Sequence, residues 1–264
     1  MTSIQSKIIN HPIFASLPRS NLIFIALWLL TMICLPIVGW TFGEAALIRG
    51  MSIGVVMQAL AVLSILISAW GLQKTLKTLV IVGSLSFFAE LIGSTTGFPF
   101  GKYHYTTVLQ PQLGGVPLLI PLAWMMMLPP AWAMASAILP RTTSKVSNIQ
   151  FTITYSLLSA LAFTAWDLFL DPQMVRWNFW VWEIPGQYFG IPLVNYAGWV
   201  LVSAILTLAA RPKDLPTQPL LLVYILTWFL QSIGQGVFWS QPGPAMFGFV
   251  GMGIFVWLAW KKQR

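Results

Sequence analysis

Six carboxylates, Glu44, Glu90, Asp167, Asp171, Glu183 and Asp214, are the whole acidic complement of the chain. Glu90 and Asp167 fall inside long apolar runs, where an ionisable side chain is expensive unless it is paired or functional. Groups of this kind donate and accept protons, so the residue types point to general acid–base chemistry on an apolar substrate. Glu90 follows Lys77 by 13 residues, about 20 Å of helix at 1.5 Å per residue, which sets it in the outer third of its run. Asp167 and Asp171 are four apart and share a helix face. Pro172 biases Asp171 away from helical geometry, so one aspartate is expected within the membrane and the other at its rim. Gln231 and Gln235 repeat the spacing of four in a later run, and Asn195 opens another. The amides and Asp171 also suit a plainer role, satisfying helix ends and joining helices, whereas Glu90 and Asp167 better suit chemistry.

Two segments between the runs, 94–116 and 171–190, are rich in Gly, Pro, Tyr and Trp. Gly93, Gly97 and Gly101 are spaced by four, and Tyr103 and Tyr105 flank His104; the glycines allow tight turns over a pocket. The pattern is neither GxGxxG nor a Walker loop, so phosphate binding gains little support. His104 is a candidate proton shuttle, although a lone histidine among aromatics is more often interfacial. The second segment carries Trp177, Trp180, Trp182, Glu183 and Tyr188, which could stack on a polyene, shield a cation with their π faces, or form an interfacial belt. The Asp167–Asp171 spacing also matches the DxxxD motif of membrane prenyltransferases. That chemistry requires a second acidic motif and several cations, and only Lys102 and Arg176 are expected on this side. Cys34 is the single cysteine, so no disulfide, zinc knot or CxxC pair is available and no metal site is expected.

The elements that must position these groups follow from composition. Of 264 residues, 57% are hydrophobic and 8% charged, against roughly 25% charged in soluble domains. This excludes an ordinary soluble globule. The net charge of +8 is scattered in ones to threes and builds no basic face, so nucleic acid is not an expected partner. The first apolar run starts near Asn21 and contains Trp28 and Pro36, which reads as a retained helix rather than a signal peptide. A span needs about 20 apolar residues, and eight candidates are present: 21–41, 51–70, 78–93, 117–139, 149–170, 191–210, 218–237 and 244–260. The third and eighth are short, which leaves seven as the alternative count. With both termini cytoplasmic, the inner side receives Lys7, Arg19, Lys74, Lys77, Arg141, Lys145, Arg211, Lys213, Lys261, Lys262 and Arg264, and the outer side Arg49, Lys102 and Arg176. That asymmetry is the positive-inside pattern. The expected fold is all-α: a polytopic transmembrane helix bundle forming one membrane domain over 1–264. The two aromatic, Gly-rich segments lie outside and cap or re-enter the membrane. No repeat is visible.

Glu90-Leu-Ile-Gly93, Thr96 to Tyr105, Trp166-Asp167, Asp171-Pro172 and Tyr188 to Trp199 together resemble the integral-membrane carotenoid hydratases. That family includes γ-carotene 1',2'-hydratases of cyanobacterial type and bisanhydrobacterioruberin hydratases. The matching blocks cover roughly residues 85–200. The resemblance implies a polyene substrate and addition of water across the 1',2' double bond of an acyclic end group, giving a tertiary alcohol. Such a lyase protonates the less substituted alkene carbon and captures water at the tertiary cation, without redox cofactor or metal. It needs a carboxylic acid kept protonated by an apolar site, a second group that activates water, and π faces or dipoles beside the cation. The candidate catalytic residues are Glu90 and Asp167 as acid–base pair, Asp171, and Glu183 in reserve. Tyr103, His104, Tyr105, Trp166, Trp182, Asn195, Trp199 and Gln231 are candidate supports. Expected partners are the carotenoid, water, membrane lipid and other carotenoid-pathway enzymes, in a bacterial inner or thylakoid-type membrane. A carrier for a lipophilic or proton-coupled substrate is the alternative, although such sites lie nearer the midplane between inverted repeats. A scaffolding protein is a further one.

Overall fold

The computed structural model describes residues 18–139 and 148–263. Among these residues eight helices are long and apolar enough to cross a membrane, as the apolar runs predict, and the chain is a multi-pass membrane protein. They are α1 (Arg19–Phe42), α2 (Glu44–Trp70), α3 (Leu72–Thr96), α4 (Leu119–Ile138), α5 (Asn148–Arg176), α6 (Leu193–Ala210), α7 (Thr217–Ile233) and α8 (Pro242–Gln263). The two short candidates are full spans of 25 and 22 residues. Their polar ends, Lys74 and Lys77 in one and Lys261 and Lys262 in the other, continue the helices beyond the apolar stretches.

The bundle is built around α4, the most deeply buried span: 78% of its most apolar window is enclosed, against 22% in α1. It packs against α2, α3, α5, α7 and α8, whereas α1 packs chiefly on α2. Met125, Met127, Trp124 and Trp132 of α4 are fully enclosed, with methionine filling irregular gaps between neighbours.

The bundle has two distinguishable ends. At one, Lys74 Nζ donates to the Lys213 carbonyl at 3.0 Å and Trp70 Nε1 to that of Asp214 at 2.9 Å. This brings the α2–α3 and α6–α7 connections together. At the other, the two aromatic segments pair with each other. β1 (Tyr103–Tyr105) runs antiparallel to β4 (Trp180–Trp182), with Tyr103 opposite Trp182 and Tyr105 opposite Trp180. A second ribbon joins β2 (Gln112–Leu113) and β3 (Val116–Pro117). Of the basic residues assigned to an inner side, Lys7, Arg141, Lys145 and Arg264 lie outside the described residues.

Two helices depart from simple expectation. α5 does not break near Asp171; it continues through Pro172 to Arg176, and both aspartates are buried inside it. Proline removes the N–H that would bond the carbonyl four residues earlier. That carbonyl belongs to Leu168, and the Tyr188 hydroxyl donates to it instead at 3.0 Å. α7 ends in a π-helical turn, Gly234–Phe238, closed by the Trp239 N–H on the Gly234 carbonyl at 2.9 Å. Short π segments inside helices frequently mark functional places.

Candidate functional site

Glu90 faces the ribbon from α3. The Tyr103 hydroxyl donates to its Oε2 at 2.5 Å and the Tyr105 hydroxyl to the same oxygen at 2.8 Å. Trp124 Nε1 of α4 donates to Oε1 at 3.1 Å. The alternation of side chains along a strand sends residues 103 and 105 to one face and residue 104 to the other. Hence both phenols reach Glu90 while His104 is exposed. Burial first, and then the neighbouring Glu90 charge, hold both tyrosines well above the ordinary phenol range, so they remain hydrogen-bond donors.

The approach of loop and helices relies on two small residues. A Cβ at Gly93 would run into the Phe100 ring and reach the Tyr103 hydroxyl at 3.1 Å; one at Gly198 would meet the Pro99 carbonyl oxygen at 2.7 Å. Glycine at both positions lets α3 and α6 close on the same stretch of loop.

The second acidic group is the aspartate pair of α5. Asn195 Nδ2 donates to Asp167 Oδ2 at 3.1 Å and also, in a very short contact, to Asp171 Oδ2. Trp180 Nε1 donates to Asp171 Oδ1 at 2.9 Å. Asp167 is fully enclosed and its Oδ1 has no protein donor.

Glu90 and Asp171 line one small cavity of about 30 Å³ with Tyr103, Tyr105, Trp182, Asn195 and Trp199. Asp167 is not on its wall; it is joined to Asp171 through the shared Asn195 amide. Trp124 stacks on Trp199 at 4.8 Å between ring centroids, so indole rings wall the small cavity beside its carboxylates. Beside it is a much larger apolar cavity of about 440 Å³ lined from α1, α2, α4, α5 and α7. Ile120, Ala123, Leu170 and Trp180 are common walls of the two.

Residues 50–255 match the family described as carotenoid biosynthesis protein. The chain belongs to that family. Bisanhydrobacterioruberin hydratase of Haloarcula japonica is 36% identical over 176 residues, which is 63% of this chain and 57% of the relative. The match thus spans a little over half of that relative's length. No solved structure matches the chain. The resemblance to the carotenoid hydratases read from the residues is borne out by the family match and this relative.

Within the family's span, the structure separates the sequence candidates into groups. Glu90, Tyr103, Tyr105, Asp171, Trp182, Asn195 and Trp199 share the small cavity, while Trp166 and Gln231 line the large one. His104 and Glu183 are exposed and touch neither. Sequence reasoning did not single out Trp124 and Gln173. Trp180, read there with the other tryptophans of the second segment, sits two residues before Trp182 on the same strand face. Gln173 lines the large cavity and accepts from Gln235 Nε2 at 3.3 Å; the same amide donates to the Phe169 carbonyl at 2.7 Å. In place of a diphosphate-binding DxxxD site, the Asp167–Asp171 pair has donors that are neutral amide and indole groups.

Proposed function

We propose that the protein is a carotenoid hydratase, adding water to the terminal double bond of an acyclic end group to give a tertiary alcohol. The observation that carries this reading is the junction of the two cavities: one of about 30 Å³ walled by Glu90, Asp171 and aromatic rings, and an apolar one of about 440 Å³ behind a shared wall. The larger is in the range of ligand sites. The smaller has room for water, which needs about 10–15 Å³ of such space. The family match and the hydratase relative supply the substrate class.

The hydrogen bonds support different parts for the two acidic groups. Glu90 is met by three donors, and hydrogen bonds of this kind favour the charged form of a carboxyl, which suits it to receive a proton. Asp167 and Asp171 share one amide, and two negative charges so close repel strongly in an apolar site. The aspartate pair therefore holds one proton and is the acid, delivered from Asp171. The alkene π electrons take that proton at the less substituted carbon, which leaves a tertiary cation beside the faces of Trp180 and Trp199. A water lone pair closes the C–O bond, and the surplus water proton passes to Glu90. Proton return from Glu90 to the aspartates completes the cycle. No oxidation state changes overall, so the reaction asks for no redox partner.

The same reading takes the chain as one membrane domain with both termini cytoplasmic and the ribbon end on the other side of a bacterial inner or thylakoid-type membrane. Support comes from Lys74 and Lys213 meeting at the end opposite the ribbon.

Expression in a carotene-producing bacterium, with pigments analysed by mass spectrometry in heavy-oxygen water, tests the proposal. The expected product carries one labelled water per modified end and falls at least about a hundredfold in Glu90→Gln and Asp171→Asn, the usual scale for losing an acid or base. Product surviving both substitutions would overturn the site. No hydrated product from any acyclic-ended carotene would overturn the activity and favour a carrier.

A further inference from the structure

The 440 Å³ cavity is of the size that encloses a drug-sized ligand, and a whole carotenoid, with its long polyene chain, exceeds that. On the reading of the ligand as a polyene, most of the chain must therefore lie outside. The cavity wall shows where it leaves. Of the lining residues only Ile33, Ile233 and Phe238 are exposed, at 60%, 50% and 38%. They belong to α1, to α7 and to its π turn. At the rim, Trp40 of α1 meets Phe238 edge-to-face at 5.7 Å.

We infer that the seam between α1 and the π-helical end of α7 is a second binding site, a lipid-facing mouth that holds the apolar polyene chain trailing from the bound end group. Three features fit this occupant. The exposed wall is entirely hydrocarbon, as a chain shared between protein and lipid requires. The helix on one side, α1, packs chiefly on α2, so it moves aside without disturbing the acidic site. The helix on the other side ends in a π turn with glycine at 234 and 236, where the backbone yields more readily than in an α-helix.

The test uses the full chain in lipid nanodiscs, with Cys34→Ser removing the single native thiol. An Ile33→Cys/Ile233→Cys pair is bridged across the seam with a short, thiol-reversible bifunctional reagent. The protein is then exposed to polyene-loaded vesicles and re-purified, and retained polyene per chain is read by absorbance alongside hydrated product. Bridging is expected to lower retention at least tenfold, with recovery on adding thiol and little effect of a monofunctional reagent. Ile33→Trp, which fills an exposed position and leaves the bundle intact, is expected to lower retention several-fold without any bridge.

Retention unchanged in both the bridged protein and Ile33→Trp would overturn the mouth while leaving the hydratase reading intact, provided hydrated product still forms. Retention that depends on the seam without any hydrated product would uphold the mouth and overturn the hydratase reading. An unbridged protein giving neither retention nor hydrated product would overturn both, and product without retention would overturn the mouth alone.

Discussion

The Tyr188 hydroxyl donates to the Leu168 carbonyl, the group that Pro172 leaves without its helical partner. A loop phenol thereby completes the helix that carries both aspartates, and α5 stays regular across them. Tyr188→Phe should expose an unsatisfied carbonyl at a cost of about 1–3 kcal/mol, read as a fall in thermal midpoint in detergent. In a Pro172→Ala background the amide returns, so the same substitution should cost clearly less. Equal losses in both backgrounds would show that the bond does not compensate the proline.

Tyr103 and Tyr105 converge on one oxygen of Glu90. Hydrogen bonds to a charged group contribute about 1.5–3 kcal/mol each, so Tyr103→Phe or Tyr105→Phe should slow water addition roughly tenfold to a hundredfold. Initial rates on a fixed carotene check this, and two unaffected variants would remove Glu90 from the reacting group.

The same phenols predict an alkaline boundary. Their folded values are raised above the ordinary 10.0. Below about pH 10 both folded and unfolded chains keep them protonated, and their contribution to stability is fully present. As pH rises beyond that, the unfolded chain ionises first and the contribution falls away. Thermal midpoints of the wild type should drop above about pH 10 more steeply than those of the Tyr103→Phe/Tyr105→Phe double variant; parallel curves would contradict the assignment.

Asp171 is on the cavity wall and Asp167 is not. Asp171→Asn should therefore cost the larger part of activity, and Asp167→Asn a smaller part through the shared Asn195 amide. The reverse ranking would reassign the acid. The exposed candidates give the contrast: Glu183→Gln and His104→Ala should leave the rate within about twofold, as surface substitutions away from such features usually do.

The spans were legible because hydropathy over about 20 residues reports the bilayer directly, and Glu90 was legible because a carboxylate in such a run needs a reason. The choice between Asp167 and Asp171 was not. It depends on whether α5 survives Pro172, and that is decided by Tyr188, which lies 16 residues further along the chain. Trp124 was hidden, and Trp180 not told apart from its neighbours, for another reason. In a chain with 14 tryptophans, an indole that donates to a carboxylate has the same sequence signature as one that stands in an interfacial belt.

The pairing of Tyr103 with Trp182 and Tyr105 with Trp180 makes the competence of the site all-or-none. Side chains in a ribbon alternate with a period of two, so a slip of one residue turns a whole set to the opposite face. Slipped in that way, β1 would present His104 to Glu90 and turn both phenols outward. A ribbon of three residues a side thus acts as a combination lock with a single working setting, and a chain whose eight helices had assembled correctly would still be inert in any other.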